Sequence, residues 1–117
     1  MSICIADRPA LILMDIQKAF DNIAYWGGQR NNNDAEANAA ELLKIWRDKK
    51  LPLFHIKNCS SNPDSPLNEH NEGNEFKDMA APSDGEPIIK KNGSSAFIGT
   101  DLKERLDTEK ISKLVIV

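Results

Sequence analysis

The sequence predicts an α/β fold: a parallel, Rossmann-like sheet with helices on both faces, three layers in all. Three observations predict it. The apolar run Ala10 to Met14 lacks the alternation of a half-exposed strand, which suits a strand covered on both faces, and Leu53 to Ile56 reads as a second strand. An amphipathic stretch lies between them, and strand, helix, strand in that order implies a right-handed crossover and a parallel pair. A third apolar, mostly β-branched run stands at Leu114 to Val117. The 117 residues, 40% hydrophobic and 28% charged, are the material of one ordinary globular domain spanning 1–117.

Pro9 leads into the first strand and Asp15 ends it. Asp21 to Asn33, with Gly27, Gly28 and three consecutive asparagines, has neither a helical nor a strand period and reads as loop. Asn33 then caps a helix, with Glu36 in capping-box position. Ala35, Ala39, Leu42, Leu43 and Trp46 recur at helical spacing, so one stripe faces a core. Lys49, Lys50 and Pro52 end that helix, the lysines near the negative end of its dipole. Leu53 to Ile56 follows as the second strand. Asn58 to Asp84 is polar and is expected to be a long functional loop, a lid or a subunit contact. Pro87 to Lys90 is a short extended piece, Gly99-Thr100-Asp101 opens a helix with Leu102 and Leu106 on one face, and Ile111 to Val117 is the third major strand. The apolar terminal run carries no turn or polar cap, so the chain is expected to be the front part of a larger domain, truncated after that strand.

Composition excludes several classes. A net charge of -3 gives no electrostatic reason to expect nucleic acid or an anionic membrane as partner. No apolar run approaches the ~20 residues that cross a bilayer, and the first residues do not form a signal peptide. Two cysteines, Cys4 and Cys59, make no disulfide framework, so a reducing cytoplasm is the expected compartment.

Open parallel sheets place ligands at the carboxyl ends of their strands. Asp15 ends the first strand, Asn58-Cys59 the second, and Lys90-Lys91 the extended piece. An acid and an ammonium converging there form either a structural ion pair or a working pair.

Leu11 to Phe20 reads as an apolar strand, then Asp15, one residue, Gln17, two residues, Phe20. This resembles the opening signature of the isochorismatase-like cysteine hydrolases. Glu86 to Leu102 resembles the family's second signature, a lysine four residues before Ser95-Ala96-Phe97 and a Gly99-Thr100-Asp101-Leu102 helix start; Lys91 is in register and Lys90 is not. Asn31-Asn32, Trp46-Arg47 and Asn62 to Leu67 look like one subgroup. The resemblance implies a Cys-Asp-Lys triad on a parallel sheet of about six strands. Asp15 would take the thiol proton, Lys91 would hold the carboxylate and favour thiolate by its charge, and the thiolate would attack an amide carbonyl. It also places that cysteine beyond Val117, in a Gly-x-x-Thr-x-x-Cys turn.

Gln17, Phe20, Ser95 and Phe97 are candidate substrate-binding residues; Phe20, Trp26 and Phe97 suit either a pocket wall or the core. Ser94 and Ser95 have no adjacent histidine and read as helix-entry and pocket-lining residues. Cys4 lies at the opposite end of the sheet from Asp15, and Cys59 reads as an inert thiol near the pocket rim. His55, between Phe54 and Ile56, reads as a hydrogen-bonded structural histidine, and His70 as solvated. The metal-binding members of the superfamily use an Asp-x-His and a further His beyond the second strand; Lys57 to Ser61 lacks that set, so neither a metal nor another cofactor is expected. The implied partners are a small-molecule substrate, with no nucleic acid or membrane, and copies of the same chain in a dimer or tetramer. Two alternatives stand beside amide or ureido hydrolysis: vinyl-ether cleavage, as in isochorismatases proper, and an inactive truncated paralogue acting as a binding or oligomerisation partner.

Overall fold

The computed structural model describes residues 8–21, 35–92 and 97–117. Among them four strands, β1 (Ala10–Met14), β2 (Leu53–Asn58), β3 (Ile88–Lys91) and β4 (Leu114–Ile116), and two helices, α1 (Ala35–Asp48) and α2 (Leu102–Thr108), form an α/β unit. The strands make one parallel sheet in the order β3-β2-β1-β4. Leu13 pairs with His55, Ile12 with Ile116, and Asn58 with Lys91.

The missing alternation in β1 and β2 has its cause in two cores. Leu11, Leu13 and Leu53 pack against Ala39, Leu43 and Trp46 of α1. Ala10, Ile12, Phe54 and Ile56 face the other way, against Ile89, Leu102 and Leu106. Each leucine, isoleucine and phenylalanine among them contributes about 1.5–3 kcal/mol when fully removed from water, so the register of these strands is strongly fixed. The extended piece after Pro87 is a full edge strand, running to Lys91, and its burial alternates: Ile89 and Lys91 in, Ile88 and Lys90 out.

Both helices end in the same device. Lys50 donates its backbone N–H to Arg47 O and Leu51 to Trp46 O; Lys110 donates to Asp107 O and Ile111 to Leu106 O. These are Schellman motifs, and Lys50 and Lys110 take the left-handed backbone they require, with φ of 54° and 58°. The second motif corrects the expected start of the last strand. Ile111 is spent closing α2 and packing against its core, so β4 begins at Leu114. The expected cap of α1, Asn33, lies outside the described residues.

The long segment after β2 is folded rather than open. It carries 3-10 turns at Glu72–Asn74 and Asp78–Ala80 and buries Leu67, Asn74, Lys77 and Ala80. Its few apolar residues are supplemented by asparagine amides that satisfy backbone groups: Asn74 Nδ2 donates to Leu67 O at 2.8 Å, Asn71 Nδ2 to Ser65 O at 2.8 Å, and Asn68 Nδ2 to Ser60 O at 3.1 Å. At Gly73 a Cβ would stand 2.5 Å from Pro66 O and 3.0 Å from the Ala19 Cβ, so only glycine lets this turn approach the chain leaving β1.

The topology locates a site. From β1 the chain moves to β2 and β3 on one side, then returns to place β4 on the other. The reversal lies at the carboxyl ends of β1 and β4, the crevice where open α/β sheets bind ligands.

Candidate active site

Asp15 is the first residue past β1 and stands at this reversal. Its backbone is left-handed, φ 59°, a conformation aspartate tolerates better than most residues. Two bonds hold it: Asp15 N–H donates to Ile56 O at 3.0 Å, and its own carbonyl accepts from Gln17 N–H at 2.9 Å. The turn aims the carboxylate across the end of β2 toward β3. There Lys91 Nζ lies 3.2 Å from Asp15 Oδ2, the lysine side chain 2% exposed and the aspartate side chain 28%. Lys90, one residue earlier, points outward and meets Glu69 at 3.4 Å. Strand alternation thus separates the two lysines that sequence reading weighed.

The other carboxylate oxygen, Asp15 Oδ1, is buried and has no hydrogen-bond partner among the described residues. Such an oxygen costs about 1–3 kcal/mol relative to a satisfied one. Asp15 also lines a cavity of about 170 Å³, together with Met14, Ile16, Glu36, Ala39, Lys77 and Val117. A cavity near this size holds a benzene-sized molecule. A larger depression of about 390 Å³ sits between Trp46, Arg47, Lys50 and Glu86, at the amino-terminal end of the strands and away from Asp15.

Gln17, a candidate substrate-binding residue, is fully buried, and its amide joins three parts of the scaffold. Nε2 donates to Asn58 O at 3.0 Å and Asn74 O at 2.8 Å, while Oε1 accepts from Asn58 N–H at 2.8 Å. It holds the end of β1 to the end of β2 and so positions Asp15. Phe97 is 45% exposed. The Phe20 side chain, Ser94, Ser95, Trp26 and Cys4 lie outside the described residues. Cys59 lines a separate depression with Ser60, Asn68, Glu69 and His70, and its Sγ accepts a weak bond from Asn74 Nδ2 at 3.5 Å.

His55 is 1% exposed and shares a 2.8 Å hydrogen bond with Glu86 Oε1. Burial lowers the His55 pKa despite that carboxylate. Glu86 also accepts a bidentate pair from Arg47, at 2.7 and 2.8 Å. The Arg47 hydrogen bonds, aided by the Ser83 N–H, hold the Glu86 carboxyl down at about 2. This cluster ties α1 to the sheet edge. No group of three metal-binding side chains occurs among the described residues, and none of their helices is long and apolar enough to cross a membrane.

One pair carried no sequence signal as a site. Glu36, read as a capping-box residue, meets Lys77 at 2.6 Å, with side-chain exposures of 19% and 7%. Lys77 is placed by a short antiparallel pairing in which it donates to Ile16 O and Lys18 donates to Glu75 O. Nothing local in the sequence joins positions 41 residues apart.

Comparison with known proteins bears on this geometry. A family model described as the Isochorismatase domain matches residues 9–117. The uncharacterized isochorismatase family protein YrdC of Bacillus subtilis is 41% identical over 110 residues, covering 94% of this chain and 58% of that protein. N-carbamoylsarcosine amidase of Arthrobacter sp is 26% identical over 127 residues, covering 94% of this chain and 48% of the amidase. A solved isochorismatase-family structure from Chromobacterium violaceum is 40% identical, with a TM-score of 0.90 over 95% of this chain and 56% of that one. The chain spans about half the length of the curated relatives it matches.

Proposed function

The chain belongs to the isochorismatase family, and from that premise we propose that it carries the base and charge partner of a cysteine hydrolase acting on small amide or ureido C–N bonds. The observation that carries the reading is the divided carboxylate of Asp15. Oδ2 is engaged by buried Lys91, whereas Oδ1 is buried and unpartnered among the described residues, and Asp15 lines a cavity at the sheet reversal. An acceptor so placed suits the proton of a thiol. Likeness to an N-carbamoylsarcosine amidase supports an amide substrate over an ether.

In this reading Asp15 Oδ1 takes the proton from a cysteine thiol, and the thiolate attacks the substrate carbonyl carbon. The C–N bond breaks and the leaving amine takes the proton back from Asp15. Water then attacks the thioester, giving the acid and restoring the thiol. Lys91 keeps Asp15 Oδ2 in place and supplies positive charge near the thiolate. Cys59, in its separate depression, is not the nucleophile of this scheme; the family resemblance places that cysteine beyond Val117. Copies of the chain assemble as a dimer or tetramer in the cytoplasm.

Ammonia release by the full-length protein from a panel of small amides, before and after thiol alkylation, tests the reaction. Loss of release on alkylation is expected. Cleavage of a vinyl ether that ignores alkylation would favour the acid-dependent, thiol-independent alternative, and light scattering checks the assembly.

A further inference from the structure

The buried Gln17 amide lies where β2 outruns its neighbour. Met14, the last residue of β1, pairs with Ile56. β2 runs on to Asn58, while the other chain turns away at Asp15, φ 59°. On its far side Asn58 is paired with Lys91, and Cys59 N–H donates to Lys91 O at 2.8 Å. Alternation along a strand then turns the Asn58 N–H and C=O toward the side that β1 has left. Buried backbone groups need partners, and Gln17 supplies both. Its Oε1 accepts from Asn58 N–H at 2.8 Å, and its Nε2 donates to Asn58 O at 3.0 Å. A primary amide carries the donor and the acceptor of a peptide, so this side chain continues the sheet past the end of β1.

Both charged residues hang from that unit. Gln17 N–H donates to Asp15 O at 2.9 Å, and Asn58 is the strand neighbour of Lys91. The second hydrogen of the Gln17 amide fixes its orientation, since Nε2 also donates to Asn74 O at 2.8 Å. Asn74 is held in turn by its own side chain, whose Nδ2 donates to Leu67 O at 2.8 Å and to Asn58 O at 3.3 Å. Gln17 is 0% exposed and Asn74 2%, so water does not compete for these bonds. The Lys77 N–H on Ile16 O and the Lys18 N–H on Glu75 O complete the grip of this segment on the chain after Asp15.

We infer that Gln17 and Asn74 are positioning residues that set the separation of Asp15 from Lys91. Gln17 does so by standing in for a strand peptide that β1 does not supply, and Asn74 by orienting the Gln17 amide. The consequence for rate rests on the reading of Asp15 as the base; the consequence for the charged pair does not. The coupling between Asp15 and Lys91 in the full-length protein tests it. That coupling is read by urea unfolding from the cycle of Asp15→Asn, Lys91→Met and the double variant, measured with Gln17 present and in a Gln17→Met background. Methionine keeps the length and bulk of glutamine and removes its hydrogen bonds. The coupling is expected to fall by at least about half in that background. Asn74→Ala leaves Gln17 intact and is expected to lower it less; it carries the test if Gln17→Met does not fold. Leu43→Ala, a truncation in the α1 core, is expected to cost stability and leave the coupling unchanged.

A merely structural clasp predicts the same Asp15–Lys91 coupling in every background, whatever the loss of stability, and that result overturns the inference. Rates supply a second reading. Gln17→Met is expected to lower kcat for ammonia release about 10–100-fold, as misplacement of a reacting group does, and to have less than about a twofold effect once Asp15→Asn is in place. An equal loss of rate in both backgrounds also overturns it. If the coupling falls while no amide releases ammonia, the hydrolase reading fails and the positioning role stands. If ammonia is released and the coupling does not move, the reverse is true.

Discussion

Removing the Asp15–Lys91 pair one charge at a time has a calculable and unequal effect. Stripping one partner from a buried ion pair costs about 3–5 kcal/mol when the other is left fully enclosed. Lys91 is enclosed, with 2% of its side chain exposed, whereas Asp15 keeps 28% and can recover part of its hydration. Asp15→Asn, which removes the carboxylate charge beside the enclosed ammonium, is therefore expected to destabilise by about 2–4 kcal/mol, and Lys91→Met, which removes the ammonium beside the partly exposed carboxylate, by about 1–2 kcal/mol. Asparagine is the right probe because it accepts the left-handed backbone at φ 59°; alanine would add backbone strain of about 1 kcal/mol to the reading. The double variant removes both charges, so its loss should be about 1–3 kcal/mol smaller than the sum of the two single losses. Urea unfolding followed by tryptophan fluorescence measures all four proteins. If the two losses add to within about 0.5 kcal/mol, the two groups are not coupled and the site as described does not exist.

Two further effects follow from the scaffold. Glu86, held at about 2 in the folded chain, stabilises the fold above its unfolded value near 4.5 and loses that contribution as pH falls from there toward 2. The full shift corresponds to about 3 kcal/mol, which solvent at the one-third-exposed Arg47 side chain reduces to about 2 kcal/mol. His55, lowered by burial, acts in the same direction from about 6.5 downward, so stability declines throughout the acid range. Chemical denaturation at pH 7 and pH 3 checks this, with Glu86→Gln expected to flatten the limb below 4.5. At the end of α2, Lys110→Gly removes a side chain from a left-handed position and should raise stability by about 0.5–1 kcal/mol, read as a higher urea midpoint; a lower midpoint would count against the Schellman cap.

What was legible in the sequence is what has a period or a signature. The doubly covered strands, the stripe of α1 and the register of Lys91 are carried by neighbouring residues, and the structure shows an α/β sheet with Lys91 turned toward Asp15. What escaped is carried by partners far along the chain. Gln17 reads as a pocket residue from its place in the motif, yet its amide bonds reach residues 41 and 57 positions away. Asn58 to Asp84 reads as a long polar loop because hydrophobicity is sparse there, but Asn68, Asn71 and Asn74 fold it with side-chain amides, which no apolar pattern reveals. The Glu36–Lys77 pair and the late start of β4, after a helix-capping motif, are of the same kind: each depends on a contact, not on a local pattern.

The account turns on whether Asp15 is the base that a thiol needs. Initial rates of ammonia release from a small uncharged amide, compared between the full-length protein and its Asp15→Asn form at matched folded fraction, measure that most directly. A fall of about 10²–10⁴ is predicted for loss of a positioned base. A rate within a few-fold of the original would contradict it.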